Sequence, residues 1–111
     1  MPFDFSPTET KTNTVADVLR RAKALIDAPE KWCKKTNQHG DARCIMAAIN
    51  AQRSATVYAP QARAAEFIAR AIEIKQGYGV IPDWNDAPER THAEVMSAFD
   101  RAIALAEREG R

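Results

Sequence analysis

Apolar residues recur at three- and four-residue steps in four stretches of the chain, which is the spacing of amphipathic helices. These stretches are residues 15–28, 42–52, 60–76 and 91–111. Pro29 ends the first stretch and Gly77 the third, as expected of residues that stop helices. Alanine is the most frequent apolar residue and favours helix over strand. The pattern therefore predicts an all-α domain of four helices.

Residues with capping preferences stand at the starts of these helices. Thr14 and Asp41 are predicted as the N-caps of the first and second helices, because their side-chain oxygens can accept hydrogen bonds from the first turn. Thr91 and Glu94 have the spacing of a capping box at the start of the fourth helix. The last helix is thus the one whose start the sequence defines best.

Two polar segments, residues 30–44 and 78–92, interrupt the helices. The first is rich in turn-forming residues and allows a short β-hairpin near residues 32–44. The second is predicted to be irregular up to the capping box. We expect the two segments to come together over the helices and to form a polar pocket or ridge.

The pair Asn85-Asp86 is the most distinctive part of the second segment. Asx side chains before a helix hydrogen bond to nearby backbone and make turns, and Pro88 would stiffen such a turn. We expect this turn to lock the last helix onto Trp32 or Trp84, both of which are typical core residues at loop–helix junctions.

A family resemblance rests on three features of the sequence. They are Trp32, the helix start Asp41-Ala42-Arg43-Cys44-Ile45-Met46-Ala47-Ala48-Ile49, and the stretch Trp84-Asn85-Asp86-Ala87-Pro88-Glu89-Arg90-Thr91-His92-Ala93-Glu94-Val95. Together they resemble a family of small uncharacterised bacterial and phage proteins, a domain of unknown function. In that family a Trp follows the first helix, a Cys enters an alanine-rich helix, and Asn-Asp precedes a Thr-His/Glu helix start. The resemblance covers most of the chain from Val15 onward.

The chain departs from that family pattern at one place. Ile45-Met46-Ala47 stands where a run of the Ala-Leu-Gly type is usual, which affects how closely the helix there can pack. Because the family has no assigned activity, the resemblance implies a bacterial or phage setting and no mechanism.

The length of 111 residues fits one domain, which we place at residues 14–111 after a flexible N-terminal tail of residues 1–13. No apolar run approaches the roughly 20 residues of a membrane span, and no signal peptide is visible. We therefore expect a cytoplasmic protein in which Cys33 and Cys44 are reduced.

The net charge of +1 offers no global attraction to nucleic acid, which we do not expect as a partner. Between residues 20 and 53, however, eight basic residues face three acidic ones. The candidate binding residues are the basic and aromatic side chains of the two polar segments, namely Trp32, Lys34, Lys35, Arg43 and Trp84. Our first functional hypothesis is a non-enzymatic interaction protein that binds a host or bacterial protein.

A cysteine-dependent hydrolase or transferase is the alternative hypothesis. Cys44 is predicted in the first turn of the second helix, where the helix dipole would favour a thiolate. His92 would then act as the base, and Asn85 or Asp86 would orient its ring. Since Cys is also a common core residue, this hypothesis requires that the Cys44 sulfur and the His92 ring lie within about 4 Å of each other.

Zinc is the only metal that the residue types suggest. Cys33, His39, Cys44 and His92 would supply a tetrahedral set, but no Cys-x-x-Cys or His-x-x-x-His clip is present. We therefore predict no metal and no cofactor, and we leave the oligomeric state open.

Overall fold

The computed structural model describes residues 14–52, 59–73 and 80–111. Five α-helices and one two-stranded hairpin lie in these ranges, so the predicted all-α class with a short hairpin is confirmed. The helices are α1 (Val15–Leu25), α2 (Ile45–Asn50), α3 (Ala59–Ala71), α4 (Ile81–Asp86) and α5 (His92–Arg108). The predicted tail of residues 1–13 and the predicted stop at Gly77 lie outside the described residues.

The apolar stripes of α1, α3 and α5 pack against one another and form the core. Each helix contributes a fully buried large side chain, namely Leu19, Ile68 and Phe99. Buried alanines lie between them and let the helix axes approach closely, because Ala adds little beyond the backbone. α2 buries Ile45 and Ile49 and packs against α1. None of the helices in the described ranges has the length and apolarity that crossing a bilayer requires.

α1 begins as predicted and ends earlier than predicted. The Thr14 hydroxyl accepts a hydrogen bond from the Asp17 N–H at 3.1 Å, as expected of an N-cap. The helix stops at Leu25, and Ala28 is extended because it precedes Pro29. The single 3₁₀ turn Pro29–Lys31 follows.

The start of the second helix is a correction to the sequence analysis. Asp41 does not cap it, since Gly40 and Asp41 form the two-residue loop of the hairpin β1 (Gln38–His39) and β2 (Ala42–Arg43). Gly40 has a φ of +61°, a conformation that glycine adopts without steric cost. The pairing of β2 holds residues 42 and 43 extended, so α2 begins at Ile45 with Cys44 as its N-cap.

α3 and α5 lie in the stretches predicted for the third and fourth helices. α3 ends at Ala71, and Glu73 after it has a φ of +62°, in the left-handed region that terminates helices. The capping box at α5 is confirmed. The Glu94 N–H donates to the Thr91 hydroxyl at 3.1 Å, and the Thr91 N–H donates to the Glu94 carboxylate at 2.9 Å. The latter bond lowers the pKa of Glu94.

α4 was not predicted, because residues 78–90 read as irregular. Pro82 stands in its first turn, where a missing N–H costs no hydrogen bond, and Ile81 is fully buried. Asn85 and Asp86, predicted as a turn before the last helix, are instead the last two residues of α4. Ala87 is the C-cap of α4, and the four residues 88–91 connect it to the first residue of α5.

Candidate functional site

The amide of Asn85 is fully buried and makes four hydrogen bonds. Its Oδ1 accepts from the Trp32 indole N–H at 2.8 Å and from the Ile45 backbone N–H at 3.2 Å. Its Nδ2 donates to the Cys33 carbonyl at 3.0 Å and to the Asp86 carboxylate at 2.9 Å. We call this group of five residues the Asn85 junction.

The four bonds use both donor hydrogens and both acceptor positions of the amide. They also define its orientation, because a flipped amide would face two donors with its NH₂ group and two acceptors with its oxygen. The junction connects the segment after α1, the start of α2 and the end of α4. The expectation that the two polar segments come together is therefore confirmed.

A second set of contacts joins residues 34 and 35 to the end of α4. The Asp86 carboxylate accepts from the Lys35 backbone N–H at 2.7 Å. Lys35 has a φ of +67°, a strained conformation for a residue with a side chain. The Lys34 ammonium donates to the carbonyls of Ala87 at 2.8 Å and Pro88 at 3.1 Å. Both lysines were predicted as binding residues, and the structure shows that Lys34 is bound to its own chain.

Trp32 packs against the apolar core and has Lys34 and His92 near its ring. The Lys34 ammonium lies 5.5 Å from the centre of its ring, and the His92 ring lies at 6.1 Å with a tilt of 49°. His92 Nε2 donates to the Ile26 carbonyl at 2.7 Å, because a carbonyl can only accept. That carbonyl belongs to the residue just after α1, so His92 ties the start of α5 to the end of α1.

Cys44 lies apart from this imidazole hydrogen bond. Its side chain is 5% exposed, its sulfur accepts from the Ala47 N–H at 3.4 Å, and its thiol points to the Asn37 amide oxygen at 3.9 Å. Within the described part of the chain no hydrogen bond joins Cys44 to His92. The structure therefore does not form the thiol–imidazole pair that the catalytic hypothesis requires.

A small cavity of 150 Å³ adjoins Cys44. Its lining residues are Lys35, Thr36, Asn37, Cys44, Pro82 and Asp86. The carboxylate of Asp86 is held by two hydrogen bonds from its own chain, and the Cys44 thiol is held at the helix start. Both groups thus have structural partners on the cavity wall.

Trp84 contacts Arg90. The Arg90 guanidinium stacks on its ring at 3.8 Å, and Arg90 Nε donates to the Trp84 carbonyl at 2.9 Å. Arg90 also pairs with Glu94 at 3.5 Å. Trp84 lines a second cavity of 270 Å³, which shares no residue with the cavity at Cys44. Trp32 is not among the residues that line this second cavity.

The basic residues of the chain differ in their ionic partners. Four cations on or beside the helices make ion pairs, namely Arg20 with Asp17 and Glu107, Lys23 with Asp100, Arg70 with Glu109, and Arg90 with Glu94. Lys31, Lys35 and Arg43 make none with any described residue. We call these three residues the basic surface. Lys31 and Lys35 are exposed, and Arg43 is half-buried.

Sequence reasoning missed two contributors to this region. Arg90 holds Trp84, and the segment residue Asn37 accepts from the Cys44 backbone N–H at 3.1 Å. A cation six residues after a tryptophan is a weak signal, since cation–π pairs have no fixed sequence spacing. The role of Asn37 depends on the hairpin, which the sequence allowed only in outline.

The comparisons with known proteins give one match. A family model described as a family of unknown function, DUF6197, matches residues 10–105. Neither a curated protein nor a solved structure matches the chain.

Proposed function

Because the chain belongs to DUF6197, whose function is unknown, we propose from its own residues that it is a non-enzymatic interaction protein. The proposed partner is an acidic protein surface, which contacts the basic surface of Lys31, Lys35 and Arg43. The resemblance noted above favours a bacterial or phage setting, and we propose the cytoplasm as the compartment in which the protein acts.

The observation that carries this proposal is the concentration of unpaired positive charge in residues 31–43. Lys31, Lys35 and Arg43 lack an ionic partner among the described residues, and the Lys34 ammonium contacts two neutral carbonyls and the Trp32 ring. Residues 30–43 contain four basic and two acidic side chains, so the segment keeps a positive excess. Such a surface attracts an acidic partner and raises the rate of association.

The state of the polar side chains supports a binding role over a catalytic one. The amide of Asn85, the carboxylate of Asp86 and the imidazole of His92 are each engaged in hydrogen bonds to their own chain. A catalytic acid, base or orienting group needs an open position toward a substrate. These groups instead stabilise the fold that presents the basic surface.

A protein partner fits this surface better than nucleic acid does. Binding to nucleic acid depends on many phosphate contacts, and proteins that use it carry an extended basic face. Here three cations lie in one segment and the whole chain has a net charge of +1. A short basic surface of this kind matches the charged rim of a protein–protein interface.

The proposal is tested by capture from a bacterial lysate with two charge-matched variants. Lys31→Glu with Lys35→Glu reverses the basic surface without touching the internal bonds of Lys34. Arg63→Glu with Arg101→Glu makes the same charge change at two exposed residues of α3 and α5. We expect a partner that wild type and the helix variant retain and that the basic-surface variant binds about tenfold more weakly.

Lysine-directed cross-linking of the captured complex should then place Lys31 and Lys35 at the contact. Equal retention by all three proteins would contradict the proposal. Loss of capture after nuclease treatment would also contradict it and would identify a nucleic acid instead.

A further inference from the structure

Cys33 and Cys44 directly follow the two residues of a parallel backbone bridge. Trp32 pairs with Arg43 in parallel, and the Cys33 N–H donates to the Arg43 carbonyl at 3.1 Å. The next residue on each side is a cysteine. Paired strands lie about 5 Å apart. A disulfide needs Cα atoms about 4.4–6.8 Å apart, so the backbone spacing suits one.

The two thiols also face the same turn. The Cys33 thiol donates to the Thr36 carbonyl at 3.4 Å, and the Cys44 thiol points to the Asn37 amide oxygen at 3.9 Å. Thr36 and Asn37 are consecutive residues. Both thiols therefore point toward the same two residues, and Cys44 is near enough to Cys33 to raise its pKa.

We propose that Cys33 and Cys44 are a modification site at which a hydroperoxide converts two thiols into an intramolecular disulfide. Neither the family assignment nor the proposed binding role includes such a site. The inference rests on the cysteine pair alone and stands apart from the basic surface.

The two cysteines differ in burial, which determines the one that reacts first. Cys33 is partly exposed and Cys44 is buried, so peroxide reaches Cys33 first. The Cys33 thiolate attacks a peroxide oxygen, an S–O bond forms, the O–O bond breaks and the leaving hydroxide takes up a proton as water. The Cys44 sulfur then attacks the Cys33 sulfenic acid, the S–S bond forms, the S–O bond breaks and a second water leaves. Two thiols and one hydrogen peroxide thus give one disulfide and two waters.

The environment of Cys33 makes this reaction slow at neutral pH. Burial raises its pKa, and the neighbouring Cys44 and Asp86 raise it further. A smaller thiolate fraction means slower attack on peroxide. The pair should therefore stay reduced under ordinary conditions and respond to sustained oxidant.

The disulfide would also change the turn of residues 34–37. Forming it removes the thiol donor that holds Thr36 and the one that points to Asn37. It closes the segment between residue 33 and residue 44 covalently, which restricts the hairpin.

The test treats the 111-residue chain with hydrogen peroxide, alkylates the remaining thiols and measures the intact mass. We expect wild type to lose two hydrogens and both alkylation sites together, and to regain both after reduction with dithiothreitol. Peptide mapping should find Cys33 linked to Cys44 within one chain.

Two variants separate the roles of the sulfurs. In Cys44→Ser, whose serine is itself a good N-cap, Cys33 should accumulate a sulfenic acid that reacts with dimedone. In Cys33→Ser, the buried Cys44 should remain a thiol over the time in which wild type is oxidised. Independent oxidation of the two sulfurs to sulfinic acids in wild type, or disulfides only between chains, would overturn the proposal.

Discussion

The core of α1, α3 and α5 and the Asn85 junction hold the molecule together by different physics. The core is apolar and its stabilisation grows with the area removed from water, with little dependence on direction. The junction is polar and depends on four hydrogen bonds of defined geometry around one buried amide. A substitution in the core should therefore cost stability in proportion to the side-chain volume that it removes. A substitution in the junction should cost stability according to the number of polar groups that it leaves without a hydrogen-bond partner.

The largest effect is expected in the core. Phe99 is fully buried between the helices, and Phe99→Ala should lower the free energy of unfolding by about 3–5 kcal/mol through lost burial and a cavity. Denaturant unfolding followed by circular dichroism measures this change. Phe99→Leu keeps most of the volume and should cost clearly less; equal costs for the two would show that volume does not govern the core.

Asn85→Ala should lower the free energy of unfolding nearly as much as Phe99→Ala does, although the Asn85 side chain is much smaller than that of Phe99. It leaves the Trp32 indole N–H, the Ile45 N–H and the Cys33 carbonyl without their partner. Each unsatisfied buried group costs about 1–3 kcal/mol, so we expect a loss of about 3 kcal/mol in total. The same unfolding experiment applies.

The matched control for Asn85→Ala is Asp83→Ala, an exposed position on the same short helix. This control should change stability by no more than about 0.5 kcal/mol. If the two variants unfold at the same denaturant concentration, the junction contributes nothing beyond helix propensity.

A smaller effect is expected at Asp86. Asp86→Ala removes the acceptor for the Lys35 N–H and for the Asn85 amide, and it should destabilise by about 1–2 kcal/mol. The variant also frees the Lys35 N–H, which lies in a left-handed conformation that the hydrogen bond helps to hold. The Lys35 amide proton should therefore exchange faster with solvent, which hydrogen exchange measured by NMR detects. Asp86→Asn keeps a side-chain oxygen and should retain most of the stability; a loss as large as that of Asp86→Ala would implicate the charge instead.

The smallest effect concerns pH and Cys33. Its pKa is raised in the folded protein, chiefly by burial, so the folded state binds the thiol proton more tightly than the unfolded state. The resulting stability is present below the ordinary thiol pKa and is lost as pH rises through the folded value. The rate at which iodoacetamide alkylates Cys33 should accordingly rise with pH at a higher pH in the folded protein than in the unfolded one. A rise at the same pH as in denaturant, or at a lower pH, would contradict this prediction.

The sequence predicted the core better than it predicted the junction. The stripes of α1, α3 and α5 follow from local periodicity, and the capping box of Thr91 and Glu94 spans only three residues. These features are encoded within a few residues of where they act. They could therefore be predicted without knowing any tertiary contact.

The errors concern the start of α2 and the helix α4. Cys44 rather than Asp41 caps α2, because residues 42 and 43 are taken up by the hairpin and by the pairing with Trp32. Asn85 and Asp86 were predicted as a turn because Asx residues followed by Pro88 favour turns locally, whereas the bonds that keep Asn85 buried come from residues 32, 33 and 45. A local pattern cannot contain such partners. The sequence predicted that residues 30–44 and 78–92 come together. It did not predict the hydrogen bonds that join them.

The candidate catalytic residues Cys44 and His92 make their hydrogen bonds to different groups. Cys44 was predicted as the nucleophile and His92 as the base, each at the start of a helix. In the fold the imidazole bonds the Ile26 carbonyl and the sulfur bonds the start of its own helix. Each side chain stabilises a different connection.

The central claim is that Asn85 acts by joining Trp32 to the rest of the junction, and a double-mutant cycle tests it most directly. Trp32→Phe removes the indole N–H and keeps an aromatic ring, while Asn85→Ala removes its acceptor. Unfolding free energies of wild type, both single variants and the double variant give the coupling. We predict that the double variant loses at least about 1 kcal/mol less than the sum of the single losses. Losses that add within experimental error would contradict the claim.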